Sequence, residues 1–339
     1  MILVTGGTGM VGAHVLFACA KKKLPILALF RTKKHIQKVE AFFKLLAPEN
    51  PEYFKLIEWQ EADLIEVTKL DKLFTKVTVV YHCAAKVSHA QYHTEKLIKT
   101  NIEGTANAVN FALKHKVKKF AFVSSIASLG VEATVPFVNE DHLWNSGELH
   151  TPYAYSKYGA ELEVWRGSQE GLDVVIVNPG IILGSHFWNR SSGTLIKRVA
   201  KGMLFYPTGN AGIVAIEDVV NVLIKLMESS IKNERFILVS ENLKYKELIE
   251  KIALGLNSKK PKFALTKSLL YLLYILDKIA HAIGLKKSFL NRATIESLCS
   301  QQQYDGSKIM RTLDFTYQDS KLTFKKISEN FKAYSQFNS

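Results

Sequence analysis

Residues 5–12 read TGGTGMVG, and this stretch decides the fold. An apolar run, Ile2-Leu3-Val4, precedes it and reads as a buried strand; Met10–Lys22 (MVGAHVLFACAKK) follows and reads as a helix. Gly6, Gly9 and Gly12 stand three apart across the strand-to-helix turn. Glycine there permits backbone angles and close approaches that a Cβ would block. Such a loop aims free N–H groups and the positive end of a helix dipole at one point, which suits a pyrophosphate. In the Rossmann pattern the first glycine makes the turn, the second admits the phosphates and the third lets helix pack on strand. The expected cradle is Gly6, Thr8, Gly9, Met10, Val11 and Gly12. A tight turn with no ligand is the plain alternative, and the flanking strand and helix favour the dinucleotide reading.

Outward from this loop, strand-like and helix-like segments alternate. The strands are expected at Ile2–Thr5, Ile26–Phe30, Phe54–Trp59, Val77–Cys83, Phe120–Ser125 and Val174–Asn178. The helices are expected at Lys33–Leu46, Val67–Thr75, Glu95–His115 and Tyr153–Gln169. Alternation of this kind predicts an α/β fold, a Rossmann-type doubly wound parallel sheet. Ligands of such sheets bind beyond the carboxyl ends of the strands. The expected division is a dinucleotide-binding domain over 1–184, to which 213–240 returns, and a smaller, mostly helical substrate-binding region over 185–339.

Composition narrows the class. With 339 residues, 47% of them hydrophobic, the chain can bury a large core. No run reaches the roughly 18 uninterrupted apolar residues of a membrane span. The first strand begins at Ile2, leaving no room for a secretory signal. Cys19, Cys83 and Cys299 are isolated and odd in number, which points to a reducing compartment, and a cytoplasmic location is expected. The net charge of +14 would attract nucleic acid, anionic membrane or phosphorylated ligands. Its lysine pairs are scattered, however, and no metal-ligand spacing or nucleic-acid motif accompanies them, so neither a metal nor a nucleic-acid partner is expected. Leu265–Leu285 is strongly apolar but carries Asp277, Lys278 and His281. It reads as an amphipathic helix over the core, a pocket or a membrane surface, with cover of the pocket or core preferred to peripheral membrane contact.

The chemistry turns on TPYAYSKYGAE, residues 151–161. Tyr153 and Lys157 are four apart and share one helix face. A phenol with a pKa near 10 is a poor acid–base catalyst at neutral pH until a cation lowers it, and a lysine one turn away supplies that cation. Its three donors also suit a ribose hydroxyl. Upstream, FAFVSSIASLG (120–130) ends a strand at the ligand edge and offers Ser124 and Ser125 to a substrate carbonyl. This set suits hydride transfer, in which a cofactor brings the hydride and the protein brings the proton and the orientation.

With both constellations in place, the sequence resembles the extended branch of the short-chain dehydrogenase/reductase superfamily, the NAD-dependent epimerase/dehydratase family, over nearly its whole length. The resemblance implies a catalytic set of Ser125, Tyr153 and Lys157, with Ser124 as the alternative serine and a cofactor contact. It further implies that Asn101, in TNIEGT, supports the lysine through water, and that Asp63-Leu64 contacts adenine. Ala84, Ala85 and Lys86, in HCAAKVS, would line the cofactor, and Pro179 and Ile181, in VNPGIILG, would pack against the nicotinamide. A homodimer through the 95–115 and 153–169 helices is implied as well.

The second strand ends LALFRTKKH. Binders of NAD place an acid here for the ribose 2′-hydroxyl; this chain has Phe30 and then Arg31, with Lys33 and Lys34 beyond. These cations favour NADP over NAD, unless Arg31 merely stacks on adenine. Two enzyme readings compete. One, similar to dihydroflavonol 4-reductases and 3β-hydroxysteroid dehydrogenases, is reduction of a ketone or aldehyde on a fairly apolar small molecule, supported by Phe187, Trp188, Phe205 and Tyr206. The other is a nucleotide-sugar epimerase with tightly held NAD, for which Arg190, Lys197, Arg198 and Lys201 would meet a diphosphate. Ile126 and Ala127 stand where a dehydratase needs an acid after the serine. A non-catalytic dinucleotide sensor is the third reading; sensors of this type lose the tyrosine or lysine, and both are present.

Overall fold

The computed structural model describes residues 1–88, 94–130, 137–284 and 290–337. Seven parallel strands form the central sheet: β1 (Ile2–Thr5), β2 (Ile26–Phe30), β3 (Ile57–Glu61), β4 (Val79–His82), β5 (Lys119–Val123), β6 (Val174–Pro179) and β7 (Glu234–Leu238). Their spatial order is β3-β2-β1-β4-β5-β6-β7. Strand order reverses between β1 and β4, and the crevice at such a switch point is where doubly wound sheets bind ligands.

β1, β2 and β6 read ILVT, ILALF and VVIVNP, near-continuous apolar runs that are buried almost throughout. Strands covered by helices on both faces require this composition. On one face lie α1 (Met10–Lys21) and α2 (Lys34–Leu46), whose Leu16, Phe42 and Phe43 join Val219 and Leu223 of a helix at 216–228. On the other, α3 (Val67–Phe74), α4 (Gly104–Lys114) and α5 (Pro152–Gln169) bury Leu70, Phe74, Val109 and Val164 against Phe120 and Phe122 of β5. Truncating a fully buried ring such as Phe74 to alanine costs about 3–5 kcal/mol in sites of this kind.

A third apolar cluster sits beyond the sheet, where Trp188, Ile196, Ile252, Phe324 and Phe331 pack together. It covers a small sheet of Ile181–Leu183, Asn210–Ala215 and Glu241–Lys244.

Three local expectations shift. The third strand starts at Ile57 rather than Phe54, because Glu52–Lys55 closes a helical turn after Pro51 and the Phe54 ring packs on Phe43 and Trp59. The 95–115 helix is divided, with a π-helical turn at Ile98–Glu103 ahead of α4. The apolar segment forms a helix over Lys267–Ala282, started by Thr266, whose hydroxyl accepts from the Leu269 N–H. Only Leu270 and Asp277 of its sixteen residues are buried, so it does not serve as core cover. No helix among the described residues is long and apolar enough to cross a membrane.

Candidate active site

The loop between β1 and α1 gives each glycine a different reason. Gly6 has φ +66°, and a Cβ there would lie 2.6 Å from the Ala84 nitrogen, where the chain leaves β4. A Cβ on Gly12 would lie 2.3 Å from the Gly6 carbonyl oxygen, so this glycine seats α1 against the turn. At Gly9 the only neighbour within reach is the Gly6 oxygen at 3.3 Å, leaving its outer side open. Gly9 is also the N-cap of α1 and makes no side-chain cap bond. No acidic residue occupies the first turn, so no side-chain charge there offsets the positive end of the helix dipole. Thr8 and Val11 are half-buried beside it, and Met10 is buried.

The strand ends bring Ser125, Tyr153 and Lys157 together. α5 starts at Thr151, whose hydroxyl accepts from the Ala154 N–H at 3.1 Å, and Pro152 occupies the first turn. Tyr153, the second residue of the helix, is hydrogen-bonded to Ser125, which sits just past β5. Burial raises the phenol above its ordinary value, and the Ser125 bond only partly opposes this. The sequence led us to expect a phenol lowered by Lys157; here desolvation is the larger effect. Lys157 is 1% exposed, donates to the Val123 carbonyl at 2.7 Å and stands 4.4 Å from the centre of the Phe122 ring. Burial lowers its ammonium to about 8, against the raising effects of Glu161 and Cys83.

Beneath this pair lies a carboxylate that the sequence reading did not single out. Glu161, 2% exposed, follows Lys157 by one more turn of α5. Its Oε2 accepts from Ser124 Oγ at 2.5 Å, Ser128 Oγ at 2.7 Å and Asn178 Nδ2 at 2.8 Å. Its Oε1 pairs with Arg235 Nη1 at 3.2 Å. Arg235 also donates to the carbonyls of Glu140 and His142. Asn178 Nδ2 also donates to the Ser125 carbonyl at 3.2 Å, so the network fixes the turn that presents Ser125. A buried carboxylate with this many donors is satisfied rather than stranded. The i+4 spacing from Lys157 was the available signal for Glu161; nothing local marked Asn178 or Arg235.

Asn101 is buried in the π-helical turn and brackets Lys86. Its Oδ1 accepts from the Lys86 N–H at 2.7 Å, and its Nδ2 donates to the Lys86 carbonyl at 3.0 Å and to Ser156 Oγ at 2.9 Å. Single π-turns recur at functional sites. His82, fully buried at the end of β4, bridges Thr5 at 2.9 Å and Thr105 at 2.9 Å. Burial lowers its imidazole to about 3, so it is neutral. Thr5 Oγ1 in turn accepts from the Ala84 N–H at 3.2 Å, which ties the glycine loop to the 84–86 segment. Ala85 is exposed beside it.

At the far end of the crevice, Arg31 and Asp63 approach at 3.6 Å, both solvent-accessible. The Leu64 carbonyl accepts from Asn107 Nδ2 at 2.9 Å, holding the Asp63-Leu64 turn. Pro179 ends β6 buried, and Ile181 opens the next short strand half-buried. A cleft of about 220 Å³ beside Thr8 is lined by His35, Lys38, Phe42, Phe187 and Arg190. Arg190 reaches His35 Nε2 at 3.0 Å. Of the aromatic residues of the second half, Phe187 and Trp188 line this cleft, Trp188 packing also in the third cluster, whereas Phe205 is exposed and packs on Phe263.

Residues 2–238 match the NAD dependent epimerase/dehydratase family. The chain belongs to this family. It is 30% identical over 265 residues to tetraketide alpha-pyrone reductase 2 of Arabidopsis thaliana, covering 73% of this chain and 80% of that one. It is 25% identical over 320 residues to a putative dihydroflavonol 4-reductase of Synechocystis, covering 91% and 88%. The fold is shared with a UDP-glucose 4-epimerase of Thermotoga maritima solved with UDP-glucose, at a TM-score of 0.76 and 17% identity over 98% and 99% of the two chains.

As a member of this family the chain is an NAD(P)-dependent enzyme of the short-chain dehydrogenase/reductase type. Its own residues fit a dinucleotide. The one loop glycine whose Cβ position is open is the one that faces the helix N-terminus, while Gly6 and Gly12 are filled by backbone. Among the described residues, no group of three or more His, Cys, Asp or Glu is placed to hold a metal.

Proposed function

We propose that the protein reduces a ketone or aldehyde on a fairly apolar small molecule, with NADPH favoured over NADH as the reductant. The observation that carries this reading is the Ser125–Tyr153 hydrogen bond at the ligand edge of the sheet, with the phenol held above its ordinary pKa by burial. A protonated phenol beside a serine hydroxyl can give its proton to a carbonyl oxygen as the hydride arrives. The reductase names of the two relatives support the same direction.

In this reading Ser125 and Tyr153 bind the carbonyl oxygen, and Tyr153 gives it the proton. Lys157, anchored on the Val123 carbonyl, presents its remaining donors to a ribose hydroxyl and keeps positive charge near the phenol. The bound reduced nicotinamide supplies the hydride. The N–H groups of Gly9, Met10 and Val11 would hold the pyrophosphate, and Asp63-Leu64 the adenine. Arg31, with Lys33 and Lys34, would meet a 2′-phosphate.

One observation favours the epimerase reading. Arg190 and Lys38 form a cationic wall beside Thr8, with His35 against Arg190, which suits a phosphorylated ligand. A single preparation separates the two. A protein isolated without nicotinamide absorbance that consumes NADPH on added apolar carbonyl compounds is the reductase. Retained NAD, with turnover of nucleotide sugars and no net consumption of cofactor, identifies the epimerase.

A further inference from the structure

The helix at Lys267–Ala282 stands apart in the molecule. Leu269, Leu272, Leu273, Leu276 and Ile283 follow one another at intervals of three, one, three and seven residues, which places them on one helical stripe. Ile275 and Ile279 widen it. All seven are exposed, Leu272, Ile275, Leu276 and Ile279 each by more than half. Scattered apolar residues are ordinary on a protein surface; a continuous stripe along a whole helix marks an interaction site.

The charges around the stripe name the partner. The stretch 257–284 carries Lys259, Lys260, Lys262, Lys267 and Lys278 against a single acid, Asp277. That acid is 4% exposed and faces inward, where it accepts from the Leu290 N–H. Lys267 is paired with Glu296 at 2.7 Å, and the surface of the segment otherwise combines apolar side chains with the positive charge of Lys259, Lys260, Lys262 and Lys278. Tyr271 and Tyr274 flank the stripe half-buried, and Lys278 lies over the Tyr274 ring at 5.4 Å. Just ahead of the helix, Phe263 and its partner Phe205 expose two further rings. Lysines and aromatic rings bordering an apolar helical face are what an interfacial helix uses against anionic lipid. A second copy of the chain would bring the same lysines and the same net +14 against themselves.

We propose that the Lys267–Ala282 helix docks the enzyme on an anionic lipid surface. The helix lies in the plane of the interface, its leucines and isoleucines among the acyl chains and its lysines among the headgroups. The inference is independent of the reaction, because it rests on no residue of the site.

Co-sedimentation of the full chain with vesicles tests it. Vesicles of phosphatidylcholine containing phosphatidylglycerol should carry the protein down, and phosphatidylcholine alone should do so at least about tenfold less well, with added salt weakening the difference. The triple substitution Leu272→Ser, Ile275→Ser and Leu276→Ser should reduce the binding at least about tenfold. These side chains are half-exposed, so circular dichroism and Tm should stay close to wild type. If that variant unfolds, Lys259→Gln with Lys260→Gln and Lys262→Gln must weaken binding to anionic vesicles in a folded chain. Absence of sedimentation with anionic vesicles, or sedimentation unchanged by the substitutions, overturns the proposal. A concentration-dependent dimer that the triple variant dissociates, with no vesicle binding, assigns the face to a second copy instead and overturns it as well.

Discussion

Ser124 donates its hydroxyl to Glu161 Oε2 at 2.5 Å, while its neighbour Ser125 is hydrogen-bonded to Tyr153. Adjacent residues of a chain leaving a strand point to opposite sides, and here one serine faces the buried carboxylate and the other the crevice. Their substitutions should therefore separate. Ser125→Ala should lower kcat by about 100-fold with little change in Tm, as for loss of one donor to a developing oxyanion. Ser124→Ala should lower stability by about 1.5–3 kcal/mol, the range for a hydrogen bond to a charged group, with kcat nearly retained. Kinetics and thermal unfolding on both variants decide the assignment; the reverse pattern would transfer the catalytic role to Ser124.

Tyr153→Phe removes only a hydroxyl from the site. Turnover should fall by about 100-fold or more, while the affinity for dinucleotide measured by calorimetry stays close to wild type. Near-normal turnover would end the proton-donor reading.

The glycine loop offers a paired test. Gly9→Val adds a branched side chain where the nearest obstacle is an oxygen 3.3 Å away, so the fold should survive while dinucleotide binding disappears. Gly12→Val drives its Cβ to within 2.3 Å of the Gly6 oxygen and should lower Tm as well. Unchanged cofactor affinity in a folded Gly9→Val protein would reduce the motif to a turn.

Lys157 sets a pH dependence. Burial brings its folded value to about 8, below the ordinary 10.5, so the native chain sheds this proton first. Between those values the unfolded chain binds the extra proton, and the contribution to stability rises with pH. Activity should move oppositely, falling as the ammonium is lost through about pH 8. The charge of Glu161 raises Lys157, so Glu161→Gln should shift the basic limb of kcat/KM to lower pH. A profile with an unmoved basic limb in a folded Glu161→Gln enzyme would separate the two groups.

Cofactor choice should follow the end of β2. A preference of about 1.4 kcal/mol corresponds to tenfold, and one charge-assisted contact from Arg31 to a 2′-phosphate supplies that much. Wild type should therefore favour NADPH over NADH by at least about tenfold in kcat/KM. Phe30→Asp with Arg31→Asn should reverse the order, because a carboxylate repels the phosphate and accepts from a free 2′-hydroxyl. Equal use of both cofactors by wild type would leave Arg31 with no role beyond its approach to Asp63.

What the sequence revealed was what is local. The strands β1 and β2 fall where their apolar runs end, and the division of labour among Gly6, Gly9 and Gly12 follows from their spacing. Tyr153 and Lys157 lie on one helix turn, and a short-range pattern carries that too. Glu161 escaped because what makes it matter comes from elsewhere: Ser124 and Ser128 beyond β5, Asn178 in β6 and Arg235 in β7. The direction of the Tyr153 shift escaped for a similar reason, since desolvation depends on atoms brought in by the whole fold. Apolar content favoured cover of the pocket or core by Leu265–Leu285 over contact with a membrane surface; exposure of the helix's stripe depends on how the helix is docked, which periodicity does not encode.

Arg235 gives the site an order of assembly. It pins Glu161 to the carbonyls of Glu140 and His142, and it arrives on the outermost strand, the last of the seven to leave the ribosome. The glycine turn between β1 and α1 is among the first residues made. The glycine loop at 5–12 is thus synthesised long before the strand that anchors Glu161, and the buried network beneath Ser125 is complete only once β7 has joined the sheet.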